Sequence, residues 1–476
     1  MKTIFKYILS VALGASILTS CDLDTIPTTS VDAGSVFGKT GDAEKVLNGG
    51  WNYLMETFNS YANPGYGAML RANDAMGSDV VLNDKYGFRS HNQFNAIYGK
   101  GGTNTLSWLL CYRVINDCNG VLDNIDNAEG TQNDRDRIKG QALALRGFLY
   151  LHLASCYSFA IDKDPNAVCA PIYTKSTDEV SAAEGMPASS VSEVYAQSIS
   201  DLEKALDLIP ETYIRNSKHK IDNQVVLGLL SRACLYARQW EKAKNYSDQL
   251  LAKNNYLMSE SEYKEGFSNA ENKEWIWGHP QTNDQNNASY QFYYLDTTTP
   301  GSYYYSFNVD PYFRDLFEDG DYRKEMIYWA TDPGADVESA AYVWMRNAKF
   351  KFRDIQNTVA DIVLMRVAEI YLINAEAKAR LNDPDAVNKL NELKAARGAQ
   401  AISTSLTGED LLEAIWLERR KELWGEGFSL IDIIRNQKSV VRKEYPDDKI
   451  DYTYTDSEGK EHTVKKTPQG HRYFNF

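Results

Sequence analysis

Two tracts of the sequence combine the side-chain types that could bind a sugar. They cover residues 73–101 and 283–305, and both mix aromatic rings with Asp, Asn and Gln. An aromatic ring can cover the C–H face of a sugar, and burying about 60 to 100 Å² there is worth roughly 1.5 to 2.5 kcal/mol. The polar side chains would bind the hydroxyl edge. We therefore predict ligand contacts from Asp79, Arg89, Tyr98, Tyr293, Tyr303 and Tyr304.

Each of these residues also has a structural alternative. A Tyr ring can equally pack against the helical body, and an aspartate in a loop can cap a turn. Successive residues of an extended segment point to opposite sides, so Tyr303 and Tyr305 would share one face and Tyr304 would take the other. We therefore do not expect all three rings to be exposed.

Sequence motifs of the common catalytic sites do not occur. H-E-x-x-H, G-x-S-x-G and a P-loop are all missing. The histidines stand far apart and no C-x-x-C pair occurs, so we predict neither a metal site nor a cofactor. Two carboxylates suffice for glycoside hydrolysis, but 65 acidic residues offer many chance pairs. We interpret the charges in residues 365–377 and 418–422 as structural ion pairs and predict a binding protein rather than an enzyme.

The charge and apolar content of the chain limit which kinds of molecule it can bind. The 51 basic and 65 acidic residues give a net charge of −14, which argues against nucleic acid. An apolar content of 43% with 24% charged residues is typical of a globular chain. No run of about 20 apolar residues occurs, so we expect no membrane-spanning helix.

The first twenty residues are typical of a signal peptide. Lys2 and Lys6 precede an apolar run that ends in L-T-S-C, which places Leu18 three residues before Cys21. This pattern predicts a bacterial lipoprotein that is cleaved before Cys21 and lipidated there; the alternative is an ordinary secretory signal. Most of the other five cysteines are expected to be small buried side chains, with one possible disulfide between Cys156 and Cys169.

Helical periodicity dominates the rest of the chain and predicts a mainly α fold. After a polar tether at 21–40 we expect a helical body at 41–256, an irregular Tyr-rich region at 257–358, and helical pairs with a tail at 359–476. The irregular region contains E-W-I-W-G-H, which alternates like a strand. Helices are predicted from residue 42 and over 103–127, 134–160, 190–208, 223–236, 240–254, 361–381, 384–397, 408–424 and 428–436.

The helices come in pairs with small residues where two helices would cross. Ala233 and Ala375 are examples, and the pairs suggest tetratricopeptide-like repeats forming an α–α superhelix. Ordinary helix hairpins are the alternative, and they would also give a helical body.

Four segments resemble the SusD/RagB family of outer-membrane nutrient-binding lipoproteins. They are the start C-D-L-D-T-I-P with D-A-E-K-V-L-N-G at 42–49, the helix A-L-A-L-R-G-F-L-Y-L-H-L at 142–153, A-D-I-V-L-M-R-V-A-E-I-Y-L-I-N-A-E-A at 360–377, and E-R-R-K-E-L-W-G-E-G at 418–427. They follow the family's order, and the resemblance runs from residue 21 to about 440. Trp108 and Asn116 also match a family helix, and we expect them to be structural.

The resemblance implies a function that the residues by themselves do not. It implies a lipid-anchored protein on the cell surface of a member of the Bacteroidota, which binds glycan for nutrient uptake. Its partner would be a SusC-like TonB-dependent transporter in the outer membrane. The alternatives are a peptide-binding member of the same family, a glycan-degrading surface enzyme with a helical body, and a scaffold for protein partners.

Overall fold

The computed structural model describes residues 36–58, 64–82, 87–98, 102–302, 306–329, 342–343, 345–443, 451–455, 458–466 and 472–475. Cys21 and the proposed signal and tether up to residue 35 therefore lie outside the described residues. Helices dominate, as predicted. They are α1 (Thr40–Glu56), α2 (Gly65–Ala75), α3 (Arg89–Asn92), α4 (Gly102–Asn124), α5 (Gln132–Cys156), α6 (Glu179–Glu184), α7 (Val191–Leu208), α8 (Asn223–Tyr236), α9 (Trp240–Lys253), α10 (Glu260–Tyr263), α11 (Phe292–Leu295), α12 (Pro311–Arg314), α13 (Tyr322–Glu325), α14 (Val367–Arg380), α15 (Ala386–Ala396), α16 (Gly408–Glu422) and α17 (Ser429–Arg435).

Strands are short and form small sheets. They are β1 (Val80–Leu82), β2 (Trp275–His279), β3 (Phe307–Val309), β4 (Ile327–Trp329), β5 (Tyr342–Val343), β6 (Met345–Asn347), β7 (Ile362–Arg366), β8 (Ser439–Arg442), β9 (Asp451–Thr455), β10 (Glu461–Lys466) and β11 (Arg472–Asn475). Antiparallel pairs join β1 to β3, β2 to β7, β4 to β6 and β8 to β11. In the remaining sheet β10 lies between β5, which is parallel to it, and β9, which is antiparallel.

Local capping explains where several helices begin. Ser190 accepts a hydrogen bond from the backbone N–H of Glu193, whose carboxylate accepts in return from Ser190 N–H, so α7 starts in a capping box. The side chains of Asp222 and Thr131 each accept a hydrogen bond from a backbone N–H in the first turn of α8 and α5, without the reciprocal bond of a capping box. These caps satisfy backbone donors that have no partner inside the helix.

The long helices pack in succession. Contacts run from α1 to α4, α5, α7, α8, α9 and α14, and α14 then contacts both α15 and α16. Ala233 on α8 and Ala375 on α14 are fully buried, as expected of residues at a helix crossing. The tetratricopeptide-like geometry of the pairs stays a prediction.

Three sequence expectations need correction. The predicted helix over 361–381 begins only at Val367, because Ile362–Arg366 pairs with β2 as strand β7. The strand at 275–279 is confirmed, but both of its faces are buried and register shifts at Trp275 and Trp277 break the simple alternation. The possible disulfide between Cys156 and Cys169 does not form: the five cysteines within the described ranges are free thiols, and Cys169 instead lies 3.7 Å from the carbonyl of Leu153.

Candidate functional site

Strand β1 of the first predicted ligand tract pairs with β3, which follows directly after the second tract. Val80 pairs with Val309 and Leu82 with Phe307, although more than 200 residues separate the strands in the chain. Beyond β1, the Phe88 ring packs edge-on against Tyr294 at 5.3 Å, which ties the first tract to the second. The sequence suggested both tracts, but their contact follows from a pairing that no local pattern shows.

Asp79 has a structural partner. Its carboxylate accepts two hydrogen bonds from Arg420, at 2.5 and 3.1 Å, and it is 6% exposed. Its carbonyl accepts from Trp424 Nε1 at 3.1 Å and from the backbone N–H of Asp310 at 3.2 Å. Asp79 thus joins β1 to α16, and its side chain lines a cavity beside that helix.

The other predicted ligand residues are scattered. The Tyr293 ring is 7% exposed, lies 4.9 Å from Phe352 and is within hydrogen-bonding distance of the Thr358 hydroxyl at 3.0 Å, so the ring has the packing role of the structural alternative. Arg89 begins α3 and is exposed. Tyr303, Tyr304 and the side chain of Tyr98 lie outside the described residues, so their roles stay predictions.

An aromatic cavity that the sequence did not single out lies on α4. Trp108, Tyr112 and Asn116 follow one another at intervals of four residues and therefore share a face of the helix. Together with Pro171 and Tyr173 they line a cavity of about 290 Å³. The Trp108 and Tyr112 rings lie 4.8 Å apart, and Tyr173 stands edge-on to Tyr112 at 5.9 Å.

Some of the polar groups that line this cavity already form hydrogen bonds within the protein. The Tyr112 hydroxyl donates to the Pro171 carbonyl at 2.7 Å, and burial raises the pKa of this phenol, which stays protonated. Asn116 Oδ1 accepts from the backbone N–H and the hydroxyl of Thr177, at 2.8 and 2.9 Å. Trp108 and Asn116 are both half-buried, so Trp108 Nε1 and Asn116 Nδ2 can donate to a molecule in the cavity. The cavity therefore offers half-buried rings beside two available donors, although we expected Trp108 and Asn116 to be structural.

The charged side chains of the two motifs around Arg366 and Glu422 form buried ion pairs, as predicted. Arg366 contacts Glu274, Glu422 and Glu426, and Arg232 holds Glu369. Over the described ranges, His, Cys, Asp and Glu form no group suited to a metal ion. Within those same ranges, no helix is long and apolar enough to cross a membrane.

The fold and the cavity define a class: a mainly helical protein with an aromatic cavity on α4 and with the charged residues of its motifs held in internal ion pairs. A family model described as starch-binding and associating with the outer membrane matches residues 40–235, and one described as the SusD family matches residues 327–475.

Relatives with solved structures agree with these matches. The chain is 84% identical to a SusD-like carbohydrate binding protein from Bacteroides vulgatus, with a TM-score of 0.87 over 92% of each chain. A putative sugar binding protein from the same species shares the fold at 23% identity, with a TM-score of 0.74 over 93% of each chain. A SusD-like protein of Formosa agariphila is 24% identical over 91% of both chains. The protein belongs to the SusD family, whose members are generally carbohydrate-binding proteins associated with the outer membrane.

Proposed function

We propose that the protein is a lipid-anchored, cell-surface binding protein that captures an oligosaccharide and delivers it to a TonB-dependent transporter of the outer membrane. The observation that carries the ligand class is the cavity of Trp108, Tyr112 and Tyr173, whose rings stand beside available donors. The name of the 84% identical relative, a carbohydrate binding protein, supports the same class.

The chemistry of this cavity suits a sugar. Its indole and phenol rings can cover C–H faces, and the donors of Trp108 and Asn116 can bind hydroxyl oxygens. Covering one sugar face is worth roughly 1.5 to 2.5 kcal/mol, so one ring gives only a weak complex. Several rings in a row are needed for useful affinity, which favours an oligosaccharide over a free monosaccharide at this site.

Capture without catalysis fits the placement of the acidic side chains. Glu422 and Glu426, in the motif that resembles the family, are buried and held by arginines. A carboxylate held in this way has no access to a glycosidic bond. Delivery to a transporter and anchoring through Cys21 rest on the family and on the signal sequence.

The test is retention of the purified protein on a panel of immobilised polysaccharides. Trp108→Ala should weaken retention by about 5- to 30-fold, which corresponds to roughly 1 to 2 kcal/mol of lost contact. The matched control is Leu109→Ala, because Leu109 is the next residue of α4, is 56% exposed and does not line the cavity. The melting temperature of both variants should be measured alongside.

Other outcomes would point elsewhere. Unchanged retention of Trp108→Ala together with loss in Arg89→Ala would move the site to the tract around α3. Appearance of shorter products would favour the glycan-degrading enzyme. Retention of peptides instead of glycans would favour the peptide-binding alternative, and retention of neither would leave the scaffold.

A further inference from the structure

A buried arginine on α16 has donors without acceptors. Arg419 is fully buried, and its Nε donates to Asp432 at 3.0 Å. Its Nη1 and Nη2 make no hydrogen bond to any described residue, and neither does Trp416 Nε1. Trp416 and Arg419 are three residues apart and therefore share one side of the helix. Buried donors left unpaired are destabilising, so this cluster is suited to an acceptor that the protein chain does not supply.

Trp416 and Arg419, the two residues that carry these donors, both line one cavity of about 270 Å³. Its buried lining includes Trp424, Phe428 and Arg419, whereas Trp416 and Arg420 are half-buried and Val441 is 42% exposed. The lining thus combines buried residues with Val441, which is exposed to solvent. A cavity needs only about 10 to 15 Å³ to hold one water molecule, so this volume has room for a sugar ring.

The carboxylates around the cavity are paired with arginines. Asp79, Asp74 and Asp432 contribute three carboxylates to its wall. Each has an arginine nearby: Asp79 binds Arg420, Asp432 binds Arg419, and Asp74 lies 3.5 Å from Arg71. A carboxylate oxygen has more than one acceptor site, so these groups can also accept from ligand hydroxyls. With the charges already paired, an anion gains no net attraction, whereas a neutral polyhydroxylated ring can use both the donors and the acceptors.

We infer that this cavity is a second carbohydrate site that takes a single sugar ring, either free or at the end of a glycan. Ring and hydroxyl oxygens accept from Arg419 and Trp416, and hydroxyl groups donate to Asp79 or Asp74. The C–H face lies against Trp424 or Phe428, because Arg420 and Lys438 already cover the Trp416 ring. The choice of a sugar as the ligand rests on the proposed function. The unpaired donors and the cavity are observations that do not depend on it.

The experiment is calorimetric titration of the full-length protein with D-glucose, D-galactose, D-mannose, L-fucose and N-acetylglucosamine. At least one sugar should bind with millimolar affinity. Trp416→Phe keeps a ring but removes the unpaired donor, and should weaken this binding about 2- to 10-fold, the effect of one hydrogen bond. Val441→Trp places a large side chain at the solvent-exposed part of the lining and should abolish it. Ile214→Trp, at a site 90% exposed and outside the cavity lining, is the control and should bind like the wild type.

Several results would overturn the inference. The first is equal sugar binding by the wild type and Val441→Trp. The second is binding of glucuronate or acetate but of no neutral sugar. The third is that no sugar of the panel binds in calorimetry and that crystals soaked in these sugars contain only water in the cavity. Trp108→Ala separates this inference from the proposed function. If monosaccharide binding survives in that variant while polysaccharide retention is lost, the two sites are distinct. If monosaccharide binding is lost in Trp108→Ala but kept in Val441→Trp, the sugar binds on α4 and the second site is wrong.

Discussion

At the scale of single residues, buried charges connect distant parts of the chain. Arg397 is fully buried and donates to both Glu422 and Glu274. Burial alone would raise the pKa of Glu422, but the guanidinium groups of Arg397, Arg366 and Arg323 hold it well below its ordinary value. Removing one partner from such a cluster leaves a buried charge without compensation.

We therefore expect Arg397→Leu to lower the free energy of unfolding by about 3 to 5 kcal/mol in urea denaturation. Lys324→Leu is the matched control, because Lys324 pairs at 2.8 Å with Asp319, which is almost fully exposed. A surface pair of this kind is worth only about 0 to 1 kcal/mol. Similar small losses in both variants would show that the buried cluster does not depend on Arg397.

Asp310 should make stability depend on pH. Burial, together with the nearby charge of Asp79, raises the pKa of Asp310 to about 7. The unfolded state, with a pKa near 3.8, has already lost this proton at pH 5, whereas the folded state keeps it. The proton therefore contributes stability at low pH, and this contribution is lost as the pH rises through about 7.

Asp310→Asn should remove this dependence while leaving an acceptor for the backbone N–H of Tyr312, which Asp310 caps at 2.8 Å. Between pH 5 and pH 8 the wild type should lose about 2 kcal/mol relative to the variant. The measurement is the free energy of unfolding of both proteins at the two pH values. Asp74 is present in both proteins, so its contribution to the pH dependence cancels in this comparison. If the free energies of unfolding of both proteins change equally between the two pH values, Asp310 is ionised in the folded state throughout this range.

At the scale of elements, glycine allows two helices to come close. A Cβ on Gly147 of α5 would lie 2.9 Å from Leu202 Cγ and 3.0 Å from the carbonyl of Ser198, both on α7. Gly49 of α1 has no such neighbour within 4 Å. The same substitution should therefore have opposite effects at these two helical positions.

Gly147→Ala should destabilise the protein by about 1 to 3 kcal/mol through overpacking, even though alanine favours a helix. Gly49→Ala should stabilise it by up to about 1 kcal/mol. Thermal and urea unfolding of both variants would measure this difference. A gain at both positions would mean that α5 and α7 can separate without loss.

At the scale of the whole molecule, the buried core of the described residues begins at Ala43. Helix α1 begins at Thr40 and packs on α4, well after Cys21. Cys21→Ala should therefore keep the melting temperature of the mature protein but release it from the membrane fraction, because two or more acyl chains are what anchor a lipoprotein stably.

Cell fractionation with immunoblotting measures this release. Cys234→Ala, which changes a buried thiol of α8, is the control and should stay with the membranes. Sedimentation of Cys21→Ala with outer membranes in cells lacking the transporter partner would show that the lipid-anchor hypothesis is wrong.

Most helices could be predicted from the sequence because their signals are local. The apolar period of α4, the capping box at Ser190 and the turn before α15 each depend on residues a few positions apart. The mainly helical fold and the family resemblance followed from such segments. The structural role of the charges in residues 418–422 could also be predicted, because buried charges must be paired wherever their partners lie.

The tertiary structure decided what depends on distant pairing. Ile362–Arg366 is a strand because β2 provides its hydrogen-bond partner, about 90 residues away in the chain, although its apolar residues also suit a helix. Asp79 is held by Arg420, 341 residues later, which no local pattern indicates. The α4 cavity exists only because the chain at Pro171–Thr177 returns to Trp108 and Asn116. Residue types and local spacing thus determined the elements and the family resemblance, which in turn implies the class of ligand, whereas long-range packing decided which rings and donors stand together.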